Sequence, residues 1–360
     1  MEAKQSSKHE DDDVSLPEDI ILEVLVRLPA NALCRFRCVS RAWRALICDP
    51  GFVAAQRSHA GRLIVGVFGS RPHLKLRVLD MHGNVLRVFK AMHSALLAPT
   101  QLGRLICVDR MQRAAIIVDP AAGRVFTVGR NDGSTWSHSS FGRATPSGAY
   151  KVLRLHQPIA GGCEVATITD GGAAATTWRQ RAPPPLVTSF SSEHKATING
   201  VLYFMPYDTY PRTPGWNRIA AFDLEREVWM ETINGPPMGW FEVEQKEWRI
   251  ALTELKGTLC MVHNIQGPNY LGPYANIWRF IDYNKSVWVK AYMIRLPEEC
   301  LYIKPLDVLD DGRILLLNTG CSRFILQFFN PSTKAFTDIM EMAEGFTGRM
   351  NFYTGSLLSS

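Results

Sequence analysis

Apolar and polar positions follow two different periods along this chain. Before residue 50 the spacing is helical: Ile21, Val24, Leu25 and Leu28 fall at i, i+3, i+4 and i+7 and line one face of a helix. Ser15 and Glu18 stand at capping-box spacing, Pro17 falls in the first turn where its missing N–H costs nothing, and Pro29 stops the run. A second short helix is predicted from about Asn31, presenting Leu33 and Phe36. Ser40 caps a third, whose Trp43, Leu46 and Ile47 share a face, and Asp49-Pro50 ends it. Three helices in so short a stretch bury too little of their own surface to be comfortable alone. Their spare apolar surface must meet either the rest of the chain or another protein.

From about Gly61 the period shortens to strands broken by Gly, Pro, Asn and Asp, and a unit repeats. An apolar residue is followed by Asp or Asn and, seven positions after the first, by another large apolar residue. The copies are Leu79-Asp80 to Leu86, Val118-Asp119 to Val125, Phe222-Asp223 to Trp229, Ile281-Asp282 to Trp288 and Phe329-Asn330 to Phe336, with a looser one from Thr169-Asp170 to Trp178. They recur about every fifty residues, and each reads as strand, polar turn, strand. An apolar strand accompanies each copy, starting near Gly61, Gly103, Tyr150, Gly200, Gly257 and Gly312. Three or four strands per unit is the content of one propeller blade. Such a sheet cannot cover its own apolar face, so the units must stack around an axis until the ring closes, with the strand at 61–69 completed by one near Met350 to Leu358. The expected fold is multidomain α + β: a polar, acidic lead-in over 1–13, a three-helix head over 14–58, and an all-β propeller of six to seven blades over 59–360.

The ordered landmarks Leu16-Pro17, Leu25, Leu28-Pro29, Leu33, Phe36-Arg37, Val39-Ser40, Trp43 and Leu46 resemble an F-box, the helical module that joins a Skp-type adaptor and through it a cullin-RING ubiquitin ligase. The remainder is similar to the F-box-associated, kelch-like propeller of plant F-box proteins. The matching pieces are Asn199 to Tyr203, Ala221 to Glu225, Trp248 to Leu252 leading into Glu254 to Cys260, Ile277-Trp278, and the ending at Tyr353 to Leu358. This resemblance implies a non-catalytic substrate receptor of an SCF-type ligase. Leu16, Pro17, Ile21, Leu25, Leu28, Pro29, Leu33, Phe36, Val39, Trp43 and Leu46 would then carry adaptor binding or the packing that shapes it. An adaptor-bound scaffold that delivers no target, and a propeller enzyme or sugar-binding module, are the competing readings.

Composition narrows these options. The chain carries 40 Lys+Arg against 34 Asp+Glu, and the basic surplus lies after residue 60 and is thinly spread. No run of five or more Lys/Arg occurs, so direct nucleic-acid binding is not expected. No window approaches eighteen uninterrupted apolar residues, and residues 1–13 lack the apolar core of a signal peptide, so an intracellular protein of cytoplasm or nucleus is expected. Eight scattered cysteines without a Cys-x-x-Cys pair read as buried thiols. Phosphate-loop, zincin and nucleophile-elbow motifs are absent, and no cofactor or metal is expected. Recognition would fall to loops on one rim. The irregular stretches 206–217, 235–241 and 267–276 supply Tyr207, Tyr210, Arg212, Trp216, Trp240, Tyr270 and Tyr274 as candidate target-binding residues. Alternatively, those aromatics pin the loops onto the blades.

Overall fold

A computed structural model of the protein describes residues 17–28, 30–59, 62–92, 96–98, 105–109, 114–129, 136–157, 162–169, 177–207, 217–237, 248–266, 272–355 and 357–358. The chain forms two units: Met1–Gly61 with Ser356–Ser360, and Arg62–Gly355.

The first unit holds four helices among its described residues, α1 (Glu18–Val26), α2 (Ala30–Phe36), α3 (Arg41–Cys48) and α4 (Pro50–His59). Pro17 is the residue before α1 and not part of its first turn; its carbonyl accepts the amides of Ile20 and Ile21 at 3.0 and 3.1 Å. Ser15, the expected capping partner, lies outside the described residues. Ser40 caps α3 as its spacing predicts, its hydroxyl accepting the Trp43 amide at 3.1 Å. The three-helix expectation is corrected by α4. Asp49-Pro50 ends one helix and starts the next, because the Asp49 carboxylate accepts the Phe52 amide at 3.0 Å and Pro50 fills the first helical position. The core comprises Leu25, Val26, Leu33, Ile47 and Phe52 together with Leu358 from the far end of the chain. Phe36 and Trp43 meet edge to face, 5.4 Å apart.

The second unit is a six-bladed propeller. Its first blade contains β1 (Leu63–Phe68), β2 (Leu74–Leu79) and β3 (Val85–Met92). The second contains β4 (Leu96–Leu97), β5 (Ile106–Asp109), β6 (Ala115–Asp119) and β7 (Arg124–Val128). The third contains β8 (Trp136–Arg143), β9 (Tyr150–Gln157), β10 (Cys163–Ile168) and β11 (Trp178–Arg181). The fourth runs from β12 (Lys195–Ile198) through β13 (Val201–Phe204) and β14 (Arg218–Asp223) to β15 (Val228–Trp229), with β16 (Ile233–Asn234) also pairing with β14. The fifth contains β17 (Trp248–Leu255), β18 (Thr258–Ile265), β19 (Tyr274–Asp282) and β20 (Val287–Arg295). The sixth contains β21 (Cys300–Val308), β22 (Ile314–Gly320), β23 (Phe324–Asn330) and β24 (Ala335–Glu341). The last strand, β25 (Phe346–Tyr353), returns to pair with β1 and closes the ring as the innermost strand of the first blade. It stops earlier than the sequence suggests, because its partner β1 begins at Leu63, opposite Tyr353.

In five blades the repeated Asp/Asn marks the turn between the third and fourth strands, and Asp170 of the third blade lies outside the described residues. Asp223 accepts the amides of Glu225 and Arg226 at 2.8 and 3.0 Å, Asp282 those of Asn284 and Lys285 at 2.9 and 3.2 Å, and Asn330 those of Ser332 and Thr333 at 2.9 and 3.3 Å. Four residues after each acceptor the backbone turns left-handed, at Glu227, Ser286 and Lys334. The aromatic that follows packs back on the blade, as Trp229 does on Phe222 and Phe336 on Phe329. Trp229 and Trp288 also donate their indole N–H to the carbonyls of Ala182 and Asn234, at 2.9 and 2.8 Å. Each of these bonds reaches the preceding blade. The apolar strands of the second repeat element are the second strands of the blades, and β1 and β5 are buried along their whole length. Such strands read as unbroken apolar runs and not as alternation.

Glu227 carries a second link between blades. From the fourth blade it accepts Nε of both Arg179 and Arg181 at 3.0 Å and pairs with Lys151 Nζ at 2.9 Å, all from the third. Burial alone would raise its pKa, but the hydrogen bonds from Arg179, Lys151 and Arg181 outweigh it and hold the carboxyl down at about 2. A depressed folded pKa contributes stability above the ordinary value of 4.5 that is lost as pH falls towards 2. Glu227→Gln is therefore expected to lower the unfolding free energy by about 3 kcal/mol at neutral pH. In denaturant titrations the gap to the natural protein should close between pH 4.5 and 2, the two carboxyl values.

Candidate functional site

Two surfaces stand out, one in each unit. In the helical unit, α1 reads Glu-Asp-Ile-Ile-Leu-Glu-Val-Leu-Val and is apolar on more than one side. Leu25 and Val26 face the core, at 2% and 5% exposure, while Ile20 and Val24, one turn apart, stand out at 47% and 55%. Val39, in the turn after α2, is 64% exposed, and Pro17 is exposed as well. Of the residues singled out from sequence, Leu25 and Leu33 lie in the interior, where they shape the surface without forming it. Ile21, Leu28, Phe36, Trp43 and Leu46 are half-buried on the core's margin. Leu16 and Pro29 lie outside the described residues. Ile20 escaped the sequence reading, and Val24, expected on the core-facing stripe, stands instead on the exposed side with Ile20, because the helix has two apolar faces.

In the propeller, the innermost strands of five blades, β4, β12, β17, β21 and β25, line an axial cavity of about 360 Å³. Side chains tie neighbouring blades around it. Thr197 donates to the Phe141 carbonyl at 3.1 Å, Thr253 to that of Pro305 at 3.3 Å, and Asn351 to that of Ala98 at 2.9 Å. The Asn264 amide donates to the Ile303 carbonyl at 3.1 Å and accepts the Ile303 amide at 2.9 Å. Antiparallel order within a blade fixes what shares each rim. The end at which the innermost strand begins also carries the connection between second and third strands and the link from the previous blade. At this entry rim stand Glu193, Arg249, Tyr302 and the turn at Arg71, whereas the repeated Asp/Asn turns occupy the opposite rim.

Arg249 is fixed in place at the entry rim, its Nε donating to Glu193 at 2.8 Å and its guanidinium lying 4.0 Å from the Tyr302 ring centroid. Lys304 donates to the Met350 carbonyl at 2.9 Å, joining the sixth blade to the first; burial lowers its pKa against the opposing pull of Glu193. Arg349 is likewise lowered, by burial first and then by the guanidinium of Arg71. Burial pushes the Lys195 ammonium down to about 8, with Asp109 and Cys107 opposing. At the other end Arg62 pairs with Asp307. None of these axial charges was singled out from sequence, although a Lys or Arg opening an apolar strand, as in Lys195-Ala-Thr-Ile and Arg249-Ile-Ala-Leu, is a usable signal. Among the described residues no group of three or more His, Cys, Asp or Glu could hold a metal ion.

The three stretches picked out for recognition, 206–217, 235–241 and 267–276, have their described flanks at this same entry rim. Tyr207 is 61% exposed, its amide bonded to the Val187 carbonyl at 2.7 Å and its ring 6.0 Å from Phe190. Tyr274 is half-buried at the start of β19, opposite Ile265 and Arg295. Tyr210, Arg212, Trp216, Trp240 and Tyr270 lie outside the described residues.

Comparison with known proteins bears on both units. Residues 14–54 match the F-box domain, and residues 80–351 match the F-box associated beta propeller domain. The chain belongs to the F-box-associated β-propeller family, behind an N-terminal F-box. Among similar Arabidopsis thaliana proteins is the F-box protein At1g31080, 23% identical over 330 residues that cover 88% of this chain and 72% of that one. The F-box/kelch-repeat protein At3g23880 is 25% identical over 336 residues, 84% of this chain and 85% of that one. A third Arabidopsis F-box protein, At3g10240, is 23% identical over 223 residues, 57% of this chain and 56% of its own, so the chain spans little more than half that relative's length. No described helix is long and apolar enough to cross a membrane.

Proposed function

We propose that this chain is the substrate-receptor subunit of an SCF-type ubiquitin ligase. The supporting observation is the pairing, in one polypeptide, of an F-box whose Ile20, Val24 and Val39 remain exposed with a closed propeller whose entry rim gathers charged and aromatic side chains. An exposed apolar face on so small a helical unit favours a protein partner, and the F-box makes that partner a Skp-type adaptor. The F-box would span about residues 14–58 and the recognition domain 59–360, within an intracellular complex. The chain supplies no catalytic step of its own. It holds a target near a ubiquitin carrier and accelerates transfer by proximity. Tyr207 and Tyr274 stand on the rim assigned to the target.

The test is affinity capture of the full chain from cells with the proteasome blocked, followed by the half-lives of captured partners after the chain is depleted. Capture of the adaptor and cullin, with at least one partner stabilised on depletion, is the expected result. Adaptor capture with every partner's half-life unchanged would favour a scaffold instead.

A further inference from the structure

Among the described residues that line the entry mouth of the axial cavity, basic side chains outnumber acidic ones. Glu193 is the one carboxylate there among the described lining residues, and it faces three cations: Arg249 at 2.8 Å, with Lys304 and Arg349 in electrostatic range. Arg71, on the turn after β1, adds a fourth positive charge close enough to Arg349 to depress its pKa. The other lining carboxylates are committed at the far end, Asp307 to Arg62 and Glu254 to the Gly257 amide. Like charges converge at a cost unless a counter-charge is supplied.

The cations are also held in position. Arg249 is braced between Glu193 and the Tyr302 ring, leaving donors of its planar fork beyond the single bond to Glu193. Lys304 is anchored on the inner wall by the Met350 carbonyl. A single carboxylate from a ligand would neutralise only part of the surplus. A phosphoryl group brings about −1.5 to −2 charges and three acceptor oxygens, which suit forked arginine donors.

We propose that the entry mouth of the axial cavity is a binding site for a phosphoryl group, with Arg249 and Arg349 contacting its oxygens and Lys304 supporting them from within. This rests on reading the ring as the recognition half of the receptor and names the chemistry that the ring selects. The same group can arrive on a phosphorylated segment of a target or as a free oligophosphate.

The full chain is titrated calorimetrically with inorganic pyrophosphate and incubated in parallel on a randomised phosphoserine peptide array and its unphosphorylated twin, as natural protein, Arg249→Ala and Glu193→Gln. Arg249→Ala should weaken binding roughly tenfold or more, and Glu193→Gln, which removes the competing carboxylate, should strengthen it. Opposite signs from two neighbouring positions cannot come from misfolding. Binding of pyrophosphate points to the free anion; binding confined to phosphorylated peptides points to a target segment. Binding of neither probe, or binding indifferent to both substitutions, overturns the proposal. Adaptor capture by the same proteins is read alongside, so failure of the natural protein to bind either probe with capture intact overturns the anion site and leaves the ligase role standing.

Discussion

Phe68→Ala is expected to destabilise the propeller by about 3–5 kcal/mol. Phe68 is 1% exposed on β1 and stands 5.3 Å from Phe346 on β25, which lies 5.0 Å from Phe324 on β23. These three rings join the first blade, the closing strand and the last blade, so the cavity left by truncation falls on the seam where the ring shuts. The surrounding cluster, with Ile64, Leu317, Leu326 and Met350, is buried on both sides of that seam and has little room to collapse into the gap. Chemical denaturation of the full chain measures the loss, with Val289→Ala on the outer strand β20, 48% exposed, as the control expected within 0.5 kcal/mol or so of the natural protein. Equal midpoints for Phe68→Ala and the control would show that the seam contributes no more than the periphery.

The features that carried the fold in the sequence were those with a local cause. The Asp or Asn that bonds its own turn, the left-handed residue three or four positions on, and the large apolar residue after it are fixed by short-range chemistry, and five of the six copies fall within the described turns between third and fourth strands. The doubly buried second strands were equally legible as unbroken apolar runs. What was missed depends on side chains meeting across the fold. Arg71, Glu193, Arg249, Tyr302, Lys304 and Arg349 come from four blades and share no spacing, so only ring closure gathers them. Leu358 reads as the end of a strand but packs among Leu25, Leu33 and Ile47, because β1 offers it no partner. The fourth helix was legible and was misread: Asp-Pro is a helix start as much as a helix stop.

Val24→Asp combined with Val39→Asp is expected to abolish co-purification of a Skp-type adaptor, a loss of roughly a hundredfold or more in affinity. Each valine is more than half exposed, so neither substitution opens a cavity in the helical core of Leu25, Leu33, Ile47 and Phe52. Burying a Val side chain contributes about 1.5–3 kcal/mol, and an aspartate forced into an apolar interface also loses its hydration, so two such changes exceed the ~2.7 kcal/mol of a hundredfold shift. Leu25→Ala gives the contrasting result. Its side chain is 2% exposed, and truncation should cost about 2–5 kcal/mol of folding free energy, removing adaptor capture by melting the helical unit. Pull-down read beside the thermal unfolding profile separates the two: the surface double variant should keep the natural profile and lose the adaptor, while the core variant loses both. Full adaptor recovery by the double variant would place the adaptor contact elsewhere on the helical unit.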